Sequence, residues 1–186
     1  KGKDLTIEDV CDVVYKKEEV QLPTDKEFWD RMEKSRKFLE DYIATGVPTY
    51  GVTTDIGDSC HNQISVDKAG ELQRDICIYH GIGLGPKFDH DTGRAVVLAR
   101  LNGNVKGGHS AIRPELAKMM LTMLNKDIIP VIPQLGSVGA SGDLTPLSYL
   151  AAAIQGDREV YYKGKIVPTM EAFNAEGIKP LPIEAK

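Results

Sequence analysis

Ala140-Ser141-Gly142 lies inside the run Gly136-Ser137-Val138-Gly139-Ala140-Ser141-Gly142-Asp143-Leu144-Thr145-Pro146-Leu147, and this run can make its own electrophile. If a tight turn presses the Gly142 nitrogen onto the Ala140 carbonyl, a five-membered ring closes. Loss of two waters, one from the Ser141 side chain, then leaves a methylidene-imidazolone (MIO). Side chains supply nucleophiles, acids and bases but hardly any electrophiles, so such a ring opens chemistry that otherwise needs a cofactor. Gly142 offers an unhindered nitrogen and permissive dihedrals. Ser141 carries the hydroxyl that leaves, and Ala140 is small enough for the backbone to fold on itself. Thr145-Pro146 predicts an N-cap and first helical residue, followed by Leu147, Leu150, Ala151 and Ile154 at helical spacing. The tripeptide would then precede a helix N-terminus, whose partial positive charge favours electron withdrawal from the ring.

Three further blocks follow the same logic of order. Tyr50-Gly51-Val52-Thr53-Thr54 and Tyr79-His80-Gly81 come first along the chain. Ala99-Arg100-Leu101-Asn102 with Gly108-His109-Ser110-Ala111-Ile112-Arg113-Pro114 follows them, ahead of the glycine-rich run. Together the four blocks resemble the aromatic amino-acid ammonia-lyase and aminomutase family, and they are closest to the form in bacterial tyrosine aminomutases. The resemblance covers the chain from about Leu5 to its end.

That resemblance implies a mainly α fold, the N-terminal, ring-forming part of the ammonia-lyase (aspartase-like) fold, with the whole chain as one domain. It implies an MIO formed autocatalytically from Ala140, Ser141 and Gly142, with no metal and no PLP. The substrate amine would add to the methylene derived from Ser141, and Tyr50 would take the β-proton as base. A phenol needs nearby positive charge or hydrogen-bond donors to serve as a base near neutrality. His80 would face the substrate side chain, where it can hydrogen-bond a phenol or an imidazole, which favours tyrosine or histidine over phenylalanine. A satisfied histidine on the apolar face of its helix is the alternative. Gly57 and Leu144 would also border the substrate. Lyase and aminomutase remain open, since they differ in whether ammonia escapes or adds back.

The chain departs from the family pattern in two places. Asp55-Ile56-Gly57 follows Thr54 where the family has glycine, an aromatic residue and glycine; an acid there would tend to raise the Tyr50 pKa. One extra residue falls around Gly107-Gly108. Family chains are more than twice as long, and this one begins at Lys1, so it reads as a fragment. Ring formation is expected to be incomplete and turnover by the isolated chain little or none. A non-catalytic scaffold for ring formation is the alternative from another class. The family builds a homotetramer whose sites draw on several subunits.

Composition restricts the other classes. The 186 residues are 41% hydrophobic with a formal net charge of −4, suited to a soluble domain with its own core. No basic stretch suggests nucleic acid, no apolar run reaches membrane-span length, and the start lacks a signal-peptide pattern. Cys11, Cys60 and Cys77 are odd in number and far apart, which reads as reduced thiols in a cytoplasmic protein. Gly81-Ile82-Gly83-Leu84-Gly85 mimics a dinucleotide loop, but it follows a helical pattern rather than a strand. Cys60-His61 and Asp89-His90-Asp91 lack metal partners at useful spacing and read as solvated loop residues.

The elements that must position these groups are mostly helices. Thr6 to Asp9 predicts a capping box opening a short helix through Val14. Thr24 and Glu27 predict a longer one, with Phe28, Met32, Leu39 and Tyr42 on its inner face and Gly46 at its end. Leu72, Ile76 and His80 share a helix face. Another helix is expected from about Thr92 to Val105. Pro114 opens one more, with Leu116, Met119, Met120, Met123 and Leu124 as core filling. Ile128 to Ile132 is at best an edge strand, and Val160 to Val167 reads as a hairpin around Lys163-Gly164.

Overall fold

The computed structural model describes residues 5–184. Helix α1 (Ile7–Tyr15) starts at the expected capping box: Thr6 accepts from the Asp9 amide, and the Asp9 carboxylate accepts from the Thr6 amide at 3.0 Å. Helix α2 (Lys26–Ala44) begins one residue later than expected. Asp25 rather than Thr24 is the N-cap, accepting from the Phe28 amide at 2.8 Å. The buried stripe of α2 is Phe28, Met32, Leu39 and Ile43. Tyr42 instead stacks on Phe38 at the surface, with ring centroids 6.1 Å apart.

Helix α3 (Ala69–His80) leads into strand β1 (Leu84–Lys87), followed by α4 (His90–Val105) and α5 (Pro114–Asn125). Met120 and Met123 are buried in the main core with Leu101, Leu124, Ile128 and Ile129, the expected role for flexible, volume-filling methionines. Two short strands, β2 (Ile129–Pro130) and β3 (Pro133–Leu135), precede helix α6 (Leu144–Ile154). The hairpin β4 (Glu159–Tyr162) and β5 (Lys165–Pro168) and helix α7 (Thr169–Glu176) complete the fold. Strand β2 is the edge of a three-stranded antiparallel sheet ordered β2-β4-β5, as its prolines require. The sequence does not announce the second sheet, in which β1 pairs with β3 and places Leu84 opposite Leu135.

Two further expectations are corrected. Helix α6 starts with Leu144, so Thr145 and Pro146 are its second and third residues rather than cap and first. The cause is a turn in which the Leu144 amide donates to the Ser141 carbonyl at 3.2 Å, bringing the chain into helical geometry two residues early. Pro146 is still harmless, because the first amides of a helix have no intrahelical acceptor. Asp89-His90-Asp91 is not a solvated loop. Asp89 caps α4 by accepting from the Thr92 amide at 2.7 Å. His90 lies with Nδ1 3.0 Å from Asp91 and Nε2 2.9 Å from Asp127. Arg94, buried one turn further along, donates to the Val13 and Leu124 carbonyls and to Asp127, tying α1, α4 and α5 together.

Candidate functional site

The tripeptide is displayed at the surface immediately before α6. Ala140 and Ser141 are exposed and Gly142 is half-buried. No hydrogen bond among the described residues engages the Gly142 amide or the Ala140 carbonyl, and a Cβ on Gly142 would meet nothing closer than Ser137 Cβ at 3.7 Å. Both atoms that a ring closure joins are therefore free, with room around them. The root of the loop is tight: a Cβ on Gly136 would lie 2.5 Å from Thr145 Cγ2 and 3.6 Å from the Gly83 Cα. Gly83 itself abuts Pro133 and Thr145. Of the glycines in Gly81-Ile82-Gly83-Leu84-Gly85, Gly83 thus serves close backbone approach to the loop root, and the segment runs from α3 into β1 rather than from a strand into a helix. Ile82, Leu84, Leu135 and Val138 around the loop are strongly exposed apolar side chains.

Beside the loop a cleft of about 410 Å³ opens between α3, α4, α5 and the length of α6. Gln73, Ile76, Cys77 and His80 line it from one face of α3, and Asp143 and Leu144 line it from the start of α6. His80 Nδ1 is buried without a hydrogen-bond partner. Burial pushes the Cys77 thiol up to about 11 against the opposing pull of Arg158, so it stays protonated and unreactive near neutrality. The structure thus brings His80 and Leu144 to one cleft, next to the tripeptide in sequence.

Tyr50 and Gly57 do not line that cleft. Tyr50 is 65% exposed on a turn, and its Oη accepts from the Gly57 amide at 2.9 Å. Asp55 is bonded to the Asn62 amide group at 3.5 Å, and its charge also acts on Tyr79, whose phenol is raised first by burial and then by Asp55. One residue escaped the sequence reading: Gln73 Nε2 donates to the Gly51 carbonyl at 2.8 Å, joining the Tyr50 turn to the helix that carries His80. Its position seven residues before His80, on the same helix face, is the signal that could have found it.

A mainly helical domain that presents a glycine-rich loop at a helix start beside a histidine-lined cleft is the class that fold and site define. Residues 5–186 match the family profile of aromatic amino acid lyases, and the chain belongs to that family. It is 43% identical over 185 residues to a histidine ammonia-lyase of Geobacillus sp. (strain WCH70), covering 100% of this chain and 36% of that enzyme. It is 40% identical over 185 residues to an MIO-dependent tyrosine 2,3-aminomutase of Streptomyces globisporus, covering 100% of this chain and 34% of the relative. The crystal structure of the ergothioneine-degrading enzyme ergothionase from Treponema denticola superposes with a TM-score of 0.91 at 32% identity, over 98% of this chain and 36% of that one. The chain therefore spans about a third of the length of the curated relatives it matches. The fold is that of the N-terminal part of the lyases and aminomutases. Among the described residues no helix is long and apolar enough to cross a membrane, and no group of acidic, histidine and cysteine side chains could hold a metal ion.

Proposed function

We propose that this chain is the ring-forming part of a cytoplasmic MIO-dependent ammonia-lyase that removes ammonia from an aromatic L-amino acid, histidine or tyrosine being favoured. A 2,3-aminomutase on the same substrate class is the close alternative. The observation that carries the reading is Ala140-Ser141-Gly142 at the surface, with a free Gly142 nitrogen and Ala140 carbonyl, directly before α6 and next to the cleft of His80 and Leu144. The MIO supplies an electrophilic methylene that turns the substrate amine into a better leaving group. The residues around it hold and orient. His80, whose Nδ1 has no protein partner, offers its ring to a phenol or imidazole on the substrate side chain. Leu144 and Gly57 border the substrate, and Tyr50 takes the β-proton as general base.

The geometry also favours a second reading for the chain taken alone, a scaffold for the ring without turnover. Tyr50 lies outside the His80 cleft, so the base and the pocket wall of one chain do not face the same cavity. A site completed by further chain segments or by other subunits of a homotetramer resolves this. The exposed apolar side chains Ile82, Leu84, Leu135 and Val138 around the loop are the surface such partners would cover.

Intact mass of the chain beside a Ser141→Ala variant tests the reading. A deficit of two waters in the parent and not in the variant supports the electrophile, and an unmodified parent moves the weight to the scaffold. Product formation from L-histidine and L-tyrosine, with and without the remainder of the protein, then separates half-enzyme from enzyme.

A further inference from the structure

Helix α6 does more than carry the tripeptide at its start. Tyr149, four residues beyond Thr145, lies on the same face and is buried. Its Oη donates to the Gly81 carbonyl at 3.1 Å, with the Gly83 carbonyl at 3.4 Å as a weaker second acceptor. Arg158 reaches the same Gly81 oxygen, donating from Nη2 at 2.9 Å, while its guanidinium carbon sits over the Tyr149 ring, 4.3 Å from the centroid. Arg158 holds this place from a left-handed backbone conformation, φ +61°, with its carbonyl fixed by the Thr169 amide at 2.9 Å. Gly81 leaves no room for a side chain against that guanidinium.

Gly81 is the residue that ends α3, next to His80. Two residues on, Gly83 abuts Thr145, and Thr145 abuts Gly136 at the root of the glycine-rich loop. A continuous series of contacts thus runs from the end of the histidine helix to the loop, with Tyr149 and Arg158 fastening its middle. No substrate-facing residue lies in that series, so both residues act through others.

We propose that Tyr149 and Arg158 form a clamp on the Gly81 carbonyl that sets the position of His80 relative to Ala140-Ser141-Gly142, making them positioning residues for substrate selection. The proposal rests on the functional reading above for its purpose, but its geometry is testable without turnover. The chain has four histidines, His61, His80, His90 and His109, so three of them serve as internal controls. In the purified chain with isotopically labelled histidine, Tyr149→Phe and Arg158→Gln shift the His80 imidazole resonances and leave those of His61, His90 and His109 in place. The double variant shifts His80 further than either alone, and Arg158→Lys, which keeps a donor, restores part of the single-variant shift. Folded variants with His80 at its parent resonances overturn the clamp.

Where a variant fails to fold, seen as movement of His90 and His109 as well, the unmodified chain decides. Its Gly81 carbonyl carbon resonates downfield, as a carbonyl with two donors does, and a shift typical of a singly bonded glycine carbonyl overturns the proposal. Loss of the two-water mass deficit tests the functional reading instead, so the two failures are distinguishable.

Discussion

Gln73 donates its side-chain amide to the Gly51 carbonyl at 2.8 Å, across 22 residues of sequence. That bond ties the turn bearing Tyr50 to the helix bearing His80, although the two residues do not share a cavity. In the sequence both sit in family-like blocks, but nothing there connects them.

Replacing Gln73 with leucine leaves the Gly51 carbonyl without its partner and costs about 1 kcal/mol, the usual net worth of a hydrogen bond. The loss is local. Amide exchange at Val52 and Thr53, whose N–H groups close onto the Thr49 carbonyl, accelerates while α5 amides do not. Unchanged exchange at these two positions contradicts the link.

Gly136→Ala tests the tight root of the loop. Its methyl would lie 2.5 Å from Thr145 Cγ2, inside a contact that neither the buried Thr145 nor the adjacent Gly83 can relieve. Overpacking of this kind costs about 1–3 kcal/mol. The variant is expected to melt earlier than the parent and to show less of any two-water mass deficit. A neutral Tm would mean that the loop relaxes outward freely.

Arg94→Met removes the cation that joins three helices. The methionine stem fills similar space, but the Val13 and Leu124 carbonyls lose this donor and Asp127 keeps only His90 beside it. Leaving buried acceptors unpaired costs about 1–3 kcal/mol. Urea unfolding measures it, and a loss under a third of that range would show that water replaces the guanidinium.

Acid stability should carry the mark of Glu176. The Tyr162 hydroxyl donates to its Oε1 at 2.5 Å and Lys126 pairs with its Oε2 at 3.2 Å, which hold the carboxyl down at about 2 from its ordinary 4.5. A carboxyl lowered on folding stabilises the fold fully above its unfolded value and less as pH falls through the folded one. The contribution is therefore complete above about pH 4.5 and lost toward pH 2. In Glu176→Gln this part of the acid dependence disappears, so parent and variant converge in stability on acidification. Parallel pH profiles over that window would refute the assignment.

Much of the local structure was legible because its causes are local. The Thr6–Asp9 capping box, Pro114 at the start of α5 and the Lys163-Gly164 turn each act within a few residues, and all lie where the sequence puts them. The buried methionines of α5 follow from a single stripe. The start of α6 was displaced because the Ser141–Leu144 turn, rather than any side-chain cap, brings the chain into helix. The role of His90 was missed because Asp127, its partner, lies 37 residues away. Pairing of β1 with β3 was hidden for the same reason, in strands too short and too rich in glycine and proline to carry an alternating pattern.

Sequence by itself determined the family and the helical class, since both follow from residue types and their order along the chain. Tertiary structure alone decided that His80 and Leu144 share a cleft, that Tyr50 faces elsewhere, and that Gln73, Tyr149 and Arg158 hold these parts in place. Such contacts span tens of residues, and they form only where packing of the whole core offsets the entropy of closing the loops between them.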